Sequence, residues 1–221
     1  MAFNDLRSNS YPTIIDASVE STASLLAKVL AITAGGFFVT AFGVATAPEW
    51  GTLVGMLAVL GLVFSIPMAR RSSPGVALTL FFVLAYFMGW EIGPLVHRYI
   101  LAFGSAIVFN AAVTTGAGMA VLGCVAYLFH INYRRITGYA MAGLLVLMVL
   151  GILSMFFHFM QPSTYSWLTL LLFTFLTVAD FARIRAGGDG QSAVMLALSI
   201  YLDGINIFLA VLQLFGGRRR D

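Results

Sequence analysis

Two aspartates stand in segments of the chain that are otherwise apolar enough to lie in a lipid bilayer. Asp180 ends one long apolar run, and Asp203 lies in the middle of the next one. An ionised acid at the centre of a membrane helix costs about 2.5–3.5 kcal/mol. An aspartate at this depth therefore indicates a functional site, and two on consecutive segments strengthen that indication.

The chemistry open to the two aspartates depends on whether their side chains meet. Two adjacent carboxylates titrate as a coupled unit that shares a proton. Such a unit can hold two helices together when it is protonated, and it repels itself or attracts a cation when both acids are ionised. Carboxylate oxygens also suit calcium, so Asp180 and Asp203 are candidate calcium ligands. A simpler alternative leaves Asp180 as a boundary acid paired with Arg183, three residues further along its helix.

The composition places these residues in a polytopic membrane protein. Of the 221 residues, 60% are hydrophobic and 10% are charged, and the mean hydropathy is +0.95. Soluble domains are about 45–50% apolar and about 25% charged. The apolar runs are longer than barrel strands and do not alternate, so they predict an all-α bundle. The lone Cys124 excludes an intrachain disulfide, and the scattered histidines predict no metal centre.

Seven apolar runs can each cross the roughly 30 Å of bilayer hydrocarbon as a helix. They span residues 24–47, 51–69, 75–96, 101–129, 138–160, 164–182 and 192–215. We therefore predict a cytoplasmic tail over 1–23, a transmembrane domain over 24–215 and a short basic tail over 216–221. The first residues lack the pattern of a cleaved signal peptide.

The distribution of basic residues predicts that the N-terminus is cytoplasmic. With that orientation only Arg98 lies in an outer loop, and the inner side holds Arg7, Lys28, Arg70, Arg71, Arg134, Arg135, Arg183 and Arg185. The cluster Arg218–Arg220 conflicts with this rule, since seven crossings place it outside. Seven crossings are the favoured topology, and a last segment that re-enters and returns is the alternative.

Polar residues recur every seven positions in the last apolar run. They are Ser192, Ser199, Asn206 and Gln213, and Asp203 falls near the same helical face. A polar face turns away from lipid, so we expect this stripe to contact other helices or water. Interhelical hydrogen bonding explains the serines, asparagine and glutamine, but it explains an aspartate poorly.

The third run carries a further acid among closely spaced glycines. Glu91 precedes Gly93-Pro94, where we expect the helix to break or kink. Glu91 is a candidate for lining an outer vestibule, and the alternatives are that it snorkels to the membrane interface or pairs with Arg98. The four-residue spacing of Gly89 and Gly93, like that of Gly51 and Gly55, predicts close helix packing within the chain.

The stretch from Ala197 to Phe208, ALSIYLDGINIF, resembles the signature of the transmembrane Bax inhibitor motif family. Three further pieces agree in order along the chain. They are Gly93-Pro94 in the third run, Phe109–Thr114 in the fourth, and Asp180 before a loop with basic residues. The resemblance covers nearly the whole chain.

This resemblance implies a seven-helix bundle with the C-terminal helix at its centre. It further implies that Asp180 and Asp203 form a pH-sensing pair that gates a calcium leak. An arginine at the inner end of the second helix is expected to latch onto Asp180, and Arg70 or Arg71 is the match. Ser199, Asn206, Gln213 and Glu91 are the candidates for lining the ion path. Calcium would be the permeant ion, and no cofactor is expected.

Two other functional classes compete with a calcium leak. The first is a non-conducting regulator that binds a membrane-anchored AAA protease or another membrane partner. The second is an intramembrane aspartyl protease, which needs Tyr-Asp and Gly-x-Gly-Asp; the sequence has Ala179-Asp180 and Leu202-Asp203 instead. We therefore expect no enzymatic activity. A bacterial inner membrane is the expected location, with the endoplasmic reticulum as the alternative, and a monomer is expected.

Overall fold

The computed structural model describes residues 14–69 and 73–217, and within them the chain forms seven long α-helices. Their bounds are α1 Ile14–Thr46, α2 Gly51–Ala69, α3 Pro74–Phe103, α4 Ser105–Leu128, α5 Tyr133–Phe157, α6 Pro162–Arg185 and α7 Ala193–Gly217. Each contains a segment that is long and apolar enough to cross a membrane. The predicted all-α membrane architecture is confirmed. Helix α1 begins at Ile14, well before residue 24.

Local sequence explains where several helices start and stop. Pro74 and Pro162 stand at the first helical positions, where proline's missing N–H costs nothing. Asn132 caps α5, because its side chain accepts a hydrogen bond from the backbone N–H of Arg135 at 3.3 Å. A single residue, Gly104 at φ 83°, reverses the chain between α3 and α4.

Short connections alternate between two ends of the bundle, one of which is rich in arginine. The end where α4 and α6 finish and α5 and α7 begin is named the basic end. It carries Arg134, Arg135, Arg183 and Arg185. Asp189 in the 3₁₀ turn Gly188–Gly190 accepts from Tyr133 at 2.8 Å and forms a 3.1 Å ion pair with Arg134. The connection from α6 to α7 is thereby joined to the start of α5.

Helix α7 is the most buried of the described helices and packs against α1, α3, α4 and α6. Tyr201 is fully buried, and its hydroxyl lies 2.6 Å from that of Thr40 on α1. A position for α7 at the centre of the bundle stays a prediction. The helix is continuous over 25 residues, about 37 Å in length, so the alternative of a re-entrant last segment is wrong.

The spaced glycines pack helices closely within the chain, as predicted. A methyl group built on Gly89 would lie 2.5 Å from the carbonyl oxygen of Thr40 and 2.7 Å from the Cα of Gly43. On α2, a methyl group on Gly55 would lie 2.5 Å from the backbone nitrogen of Glu91. Helix α3 therefore approaches both α1 and α2 backbone to backbone.

We predict a break or a kink at Gly93-Pro94. The break is wrong, because α3 continues through Pro94 to Phe103, and a kink stays a prediction. Proline removes one helical hydrogen bond and leaves the carbonyl of residue 90 without its donor. The carbonyl oxygen of Trp90 faces Gly51 of α2, 3.1 Å from where a β-carbon would stand. A neighbouring helix thus covers the freed carbonyl, which is how membrane helices tolerate an internal proline.

Candidate functional site

Asp180 lies one turn before the end of α6 and is only 6% exposed. Its Oδ1 forms an ion pair with Nη1 of Arg183 at 3.2 Å, and the arginine side chain is itself only 14% exposed. Arg183 also donates to the hydroxyl of Thr137 on α5 at 3.3 Å. The pairing of Asp180 with Arg183, given above as the simpler alternative, is confirmed, and the arginine links α5 to α6.

Asp203 lies on α7, is 5% exposed and stands close enough to Asp180 for the two carboxyl groups to interact electrostatically. Its neighbours also include the hydroxyl of Thr177 on α6 and, at longer range, the charge of Arg183. Its Oδ2 is buried and has no hydrogen-bond partner among the described residues. The two aspartates are therefore brought together on facing helices, and they share one arginine.

Polar side chains on α6 face α7 over most of their common length. We name this set the α6–α7 polar interface; it consists of Ser166, Thr169, Thr177 and Asp180 on α6, and Asp203, Asn206 and Gln213 on α7. Ser166 donates to Gln213 Oε1 at 2.8 Å, at the end opposite the aspartates. Thr169 carries a buried hydroxyl that has no partner among the described residues. Helical spacing places all four α6 residues on one side.

An aromatic side chain divides this interface. Phe173 is 7% exposed and falls on the same side of α6, between Thr169 and Thr177. Ser166 and Gln213 lie beyond it, whereas Thr177 and both aspartates lie on the side of the basic end. The interface thus consists of two polar sections with an apolar residue between them.

The polar stripe predicted on α7 is only partly directed at other helices. Ser199, Asn206 and Gln213 are half-buried, and they are less buried than Asp203. Gln213 contacts α6, but the Nδ2 of Asn206 donates to the Leu202 carbonyl of its own helix at 2.8 Å. Ser192 precedes α7, and its buried hydroxyl has no partner within the described part of the chain.

The remaining predicted site residues do not join the aspartates. Glu91 is half-buried on α3 next to Gly55, towards the end opposite the basic end. Its alternative pairing with Arg98 is wrong, since Glu91 forms no ion pair within residues 14–69 and 73–217. Arg70 and Arg71, the predicted latch, lie outside the described residues. Arg183 holds Asp180 where the sequence interpretation expected a residue from the second helix.

A resident metal site is not assembled by these groups. Within the described residues no three His, Cys, Asp or Glu side chains come together as a metal would need. Calcium takes six to eight oxygen ligands, and Asp180 already binds an arginine. The aspartates as calcium ligands stay a prediction, suited to a passing ion rather than a fixed one.

Comparisons with known proteins agree with the family resemblance, which extends over nearly the whole chain. The protein family described as "Inhibitor of apoptosis-promoting Bax1" matches residues 19–220. An uncharacterized protein of Pseudomonas aeruginosa is 26% identical over 172 residues, covering 76% of each chain. An uncharacterized membrane protein of Vibrio cholerae is 28% identical over 168 residues, or 74% of each. A further uncharacterized protein, from Borreliella burgdorferi, is 28% identical over 174 residues.

Proposed function

This chain belongs to the Bax inhibitor-1-like family of membrane proteins, and from that premise we propose that it is a pH-sensitive calcium leak gated by Asp180 and Asp203. The observation that carries this proposal is the pair of buried carboxyl groups that interact electrostatically on facing membrane helices, beside Arg183 as the one arginine there among the described residues. One arginine balances one carboxylate, so the second acid needs a proton or a cation.

Asp203 is the acid of the pair that takes up and releases the proton in this proposal. Asp180 has its ion pair with Arg183, whereas Asp203 has the hydroxyl of Thr177 beside it and the charge of Arg183 only at longer range. The hydroxyl of Thr177 donates its one hydrogen to the Phe173 carbonyl at 2.7 Å. Its oxygen is then free only to accept, and a protonated carboxyl group on Asp203 can donate to it. The arrangement around Asp203 therefore suits the neutral acid.

Loss of that proton changes the forces between α6 and α7. The ionised Asp203 repels Asp180 and competes with it for Arg183, which loosens the contact between the two helices. The same change leaves a net negative charge that attracts a hard cation such as calcium. The half-buried Asn206 and Gln213, with Ser166 and Thr169, offer oxygen atoms along the interface towards the opposite end. Phe173 is then the apolar barrier that the ion has to pass.

The basic end faces the cytoplasm of a bacterial inner membrane in this proposal. Membrane proteins keep arginine and lysine preferentially on the cytoplasmic side, and Arg134, Arg135, Arg183 and Arg185 lie at that end. The aspartates lie nearer to that end, so the gate would respond mainly to cytoplasmic pH. Arg70 or Arg71 would be available as a second cationic partner for Asp180.

Reconstituted protein in liposomes loaded with a calcium dye tests the proposal. Calcium influx is recorded across about pH 6 to 8, a range in which a coupled acid pair can titrate, for wild type, Asp203→Asn and Asp180→Asn. We expect a steep pH dependence in the wild type that either substitution flattens. Glu91→Gln is the matched control, because it removes a membrane acid that does not contact the pair.

Two results would overturn the leak. Flux that never exceeds that of empty liposomes, with folded protein verified by circular dichroism, would reject conduction and favour the non-conducting regulator of a membrane protein. Flux whose pH dependence survives both aspartate substitutions, or is flattened equally by Glu91→Gln, would place the sensor elsewhere.

A further inference from the structure

An apolar cleft opens on the side of the bundle between α1 and α4, with α7 at its floor. It consists of two cavities of about 560 and 440 Å³ that share Phe37, Gly116 and Met119 as lining residues. The cavity nearer the basic end, named here the basic-end cavity, is the larger. Leu30 and Cys124 line it and are exposed, so the cavity is open towards the surrounding bilayer.

The length of the basic-end cavity matches one leaflet of a membrane. Its lining runs from Leu26 to Phe37 on α1 and from Gly116 to Tyr127 on α4. Eleven residues of rise correspond to about 16 Å, close to half of the roughly 30 Å hydrocarbon core. The hydroxyl of Thr33 is bonded to the Ala197 carbonyl at 3.4 Å. The walls are almost entirely apolar, so water finds few partners and an alkyl chain fits instead.

Small residues keep the basic-end cavity open on the α4 wall. They are Gly116, Ala120 and Gly123. A flexible hydrocarbon chain can enter this space from the bilayer, because it adapts to an irregular apolar wall.

A cation stands at the mouth of this cavity. Arg185 at the end of α6 donates through Nη1 to the carbonyl oxygens of Tyr127 at 3.1 Å and Phe129 at 2.8 Å. Arg134 and Arg183 each have a carboxylate partner, but Arg185 forms no salt bridge within residues 14–69 and 73–217. Its remaining guanidinium N–H groups are oriented by those two bonds and suit the oxygens of a phosphate.

We propose that the basic-end cavity binds one phospholipid, with an acyl chain between α1 and α4 and its phosphate at Arg185. The apolar walls account for the chain, and the arginine at the mouth accounts for the headgroup. The cavity is about as long as one leaflet, so the acyl chain can lie along it with the headgroup at the basic end. None of the residues of the α6–α7 polar interface lines this site, and the proposal does not depend on the proposed leak.

Native mass spectrometry of the full-length protein, titrated with phosphatidylglycerol, tests the site. Gly116→Leu fills the cavity, since Gly116 lines it and a β-carbon there meets no other atom within 4 Å. Gly118→Leu is the matched control, because its β-carbon is equally unobstructed but Gly118 lies outside the cavity lining. We expect Gly116→Leu to weaken lipid binding about tenfold or more and Gly118→Leu to leave it unchanged.

A second comparison distinguishes the contribution of the headgroup to binding from that of the acyl chains. Wild type should bind phosphatidylglycerol more tightly than a diacylglycerol with the same chains, and Arg185→Gln should remove that preference while diacylglycerol binding persists. Inorganic phosphate at equal concentration should not displace the lipid, because it lacks the chain. The thermal midpoint of each variant verifies that it is folded.

Three results would overturn the proposal. The first is equal binding by Gly116→Leu and Gly118→Leu. The second is equal affinity of the wild type for phosphatidylglycerol and diacylglycerol, or displacement of the lipid by inorganic phosphate. The third is a wild-type dimer that Gly116→Leu converts to a monomer, which would make a second copy of the chain the occupant.

Discussion

Two sides of α7 have opposite character, although they belong to one helix. The side towards α6 carries Asp203 and Gln213 and meets serine, threonine and aspartate side chains. The side towards α1 and α4 carries Ile200 and Gly204 at the floor of an apolar cleft. In hydrocarbon a polar group without a partner is costly, so polar residues gather where a facing helix supplies partners. The opposite side can remain empty of protein because lipid is able to fill it.

The largest effect is expected on the polar side of α7, from removing the cation that pairs with Asp180. Arg183→Gln leaves Asp180 buried without its partner and should lower the free energy of unfolding by about 3–5 kcal/mol, the usual cost of breaking a buried ion pair. Chemical denaturation in micelles at neutral pH measures the change. Arg185→Gln, two residues away, should have a much smaller effect, because Arg185 has no carboxylate partner among the described residues. Equal losses in the two variants would show that Asp180 does not depend on Arg183.

A smaller loss of stability is expected from removing the hydrogen bond between Tyr201 of α7 and Thr40 of α1. Thr40→Val removes the hydroxyl that lies 2.6 Å from that of the fully buried Tyr201. The tyrosine hydroxyl is left without this partner, which should cost about 1–3 kcal/mol. Thr115→Val in the same cleft is the control, because the Thr115 hydroxyl has no partner among the described residues and its loss should be nearly neutral. Chemical denaturation measures both variants, and an equal loss of unfolding free energy in Thr115→Val and Thr40→Val would refute the prediction.

At the far end of the α6–α7 polar interface the expected effect is smaller again. Ser166→Ala removes the 2.8 Å bond to Gln213 and should cost about 0.6 kcal/mol, a typical value for hydrogen bonds between membrane helices. Thr169→Val should cost nothing or stabilise, since that buried hydroxyl has no partner in the described residues. Thermal unfolding ranks the two variants. A larger loss for Thr169→Val would mean that its hydroxyl binds water that the interface needs.

Outside the membrane the same kind of ion pair should matter least. The hydrogen bond from the Tyr133 hydroxyl, with that from Arg134, lowers the pKa of Asp189 below its ordinary value. A carboxyl group whose pKa is lower in the folded protein than in the unfolded chain stabilises the fold. This contribution is complete when the pH is above the pKa of the unfolded chain, and it is lost as the pH falls through the pKa of the folded protein. The melting temperature of Asp189→Asn should therefore be slightly below that of wild type at neutral pH and equal to it in acid. Asparagine tolerates the φ of 52° at this position, so an offset that persists in acid would argue against a charge effect.

Hydrophobicity along the sequence is sufficient to predict the helical architecture and to single out the two aspartates as candidate site residues. An uninterrupted apolar run predicts a membrane helix, and a lone acid within it is conspicuous. The contribution of α6 was missed, since Ser166, Thr169 and Thr177 lie among apolar residues at uneven intervals. Their common side becomes visible only on a helix whose bounds are known.

Partners in space were harder to predict than elements along the chain. The sequence indicates Arg183 only as a neighbour of a boundary acid, whereas the structure shows it buried and bonded to α5 as well. The α1–α4 cleft has no motif at all, because it is defined by the separation of two helices. Local chemistry at Pro94 predicts a break or a kink, but α3 is continuous there, and contact with α2 covers the carbonyl that Pro94 frees.

Infrared difference spectroscopy of the protein in lipid, as the pH is raised, tests the central claim most directly. The sample carries Glu91→Gln, so that Asp180 and Asp203 are the acids left within the described membrane segments beyond Thr22. We predict a carbonyl band of a protonated carboxyl group that disappears across about pH 6 to 8 and is missing from the variant that also carries Asp203→Asn. A spectrum without such a band, or a band that Asp203→Asn leaves in place, would contradict a proton held by this pair.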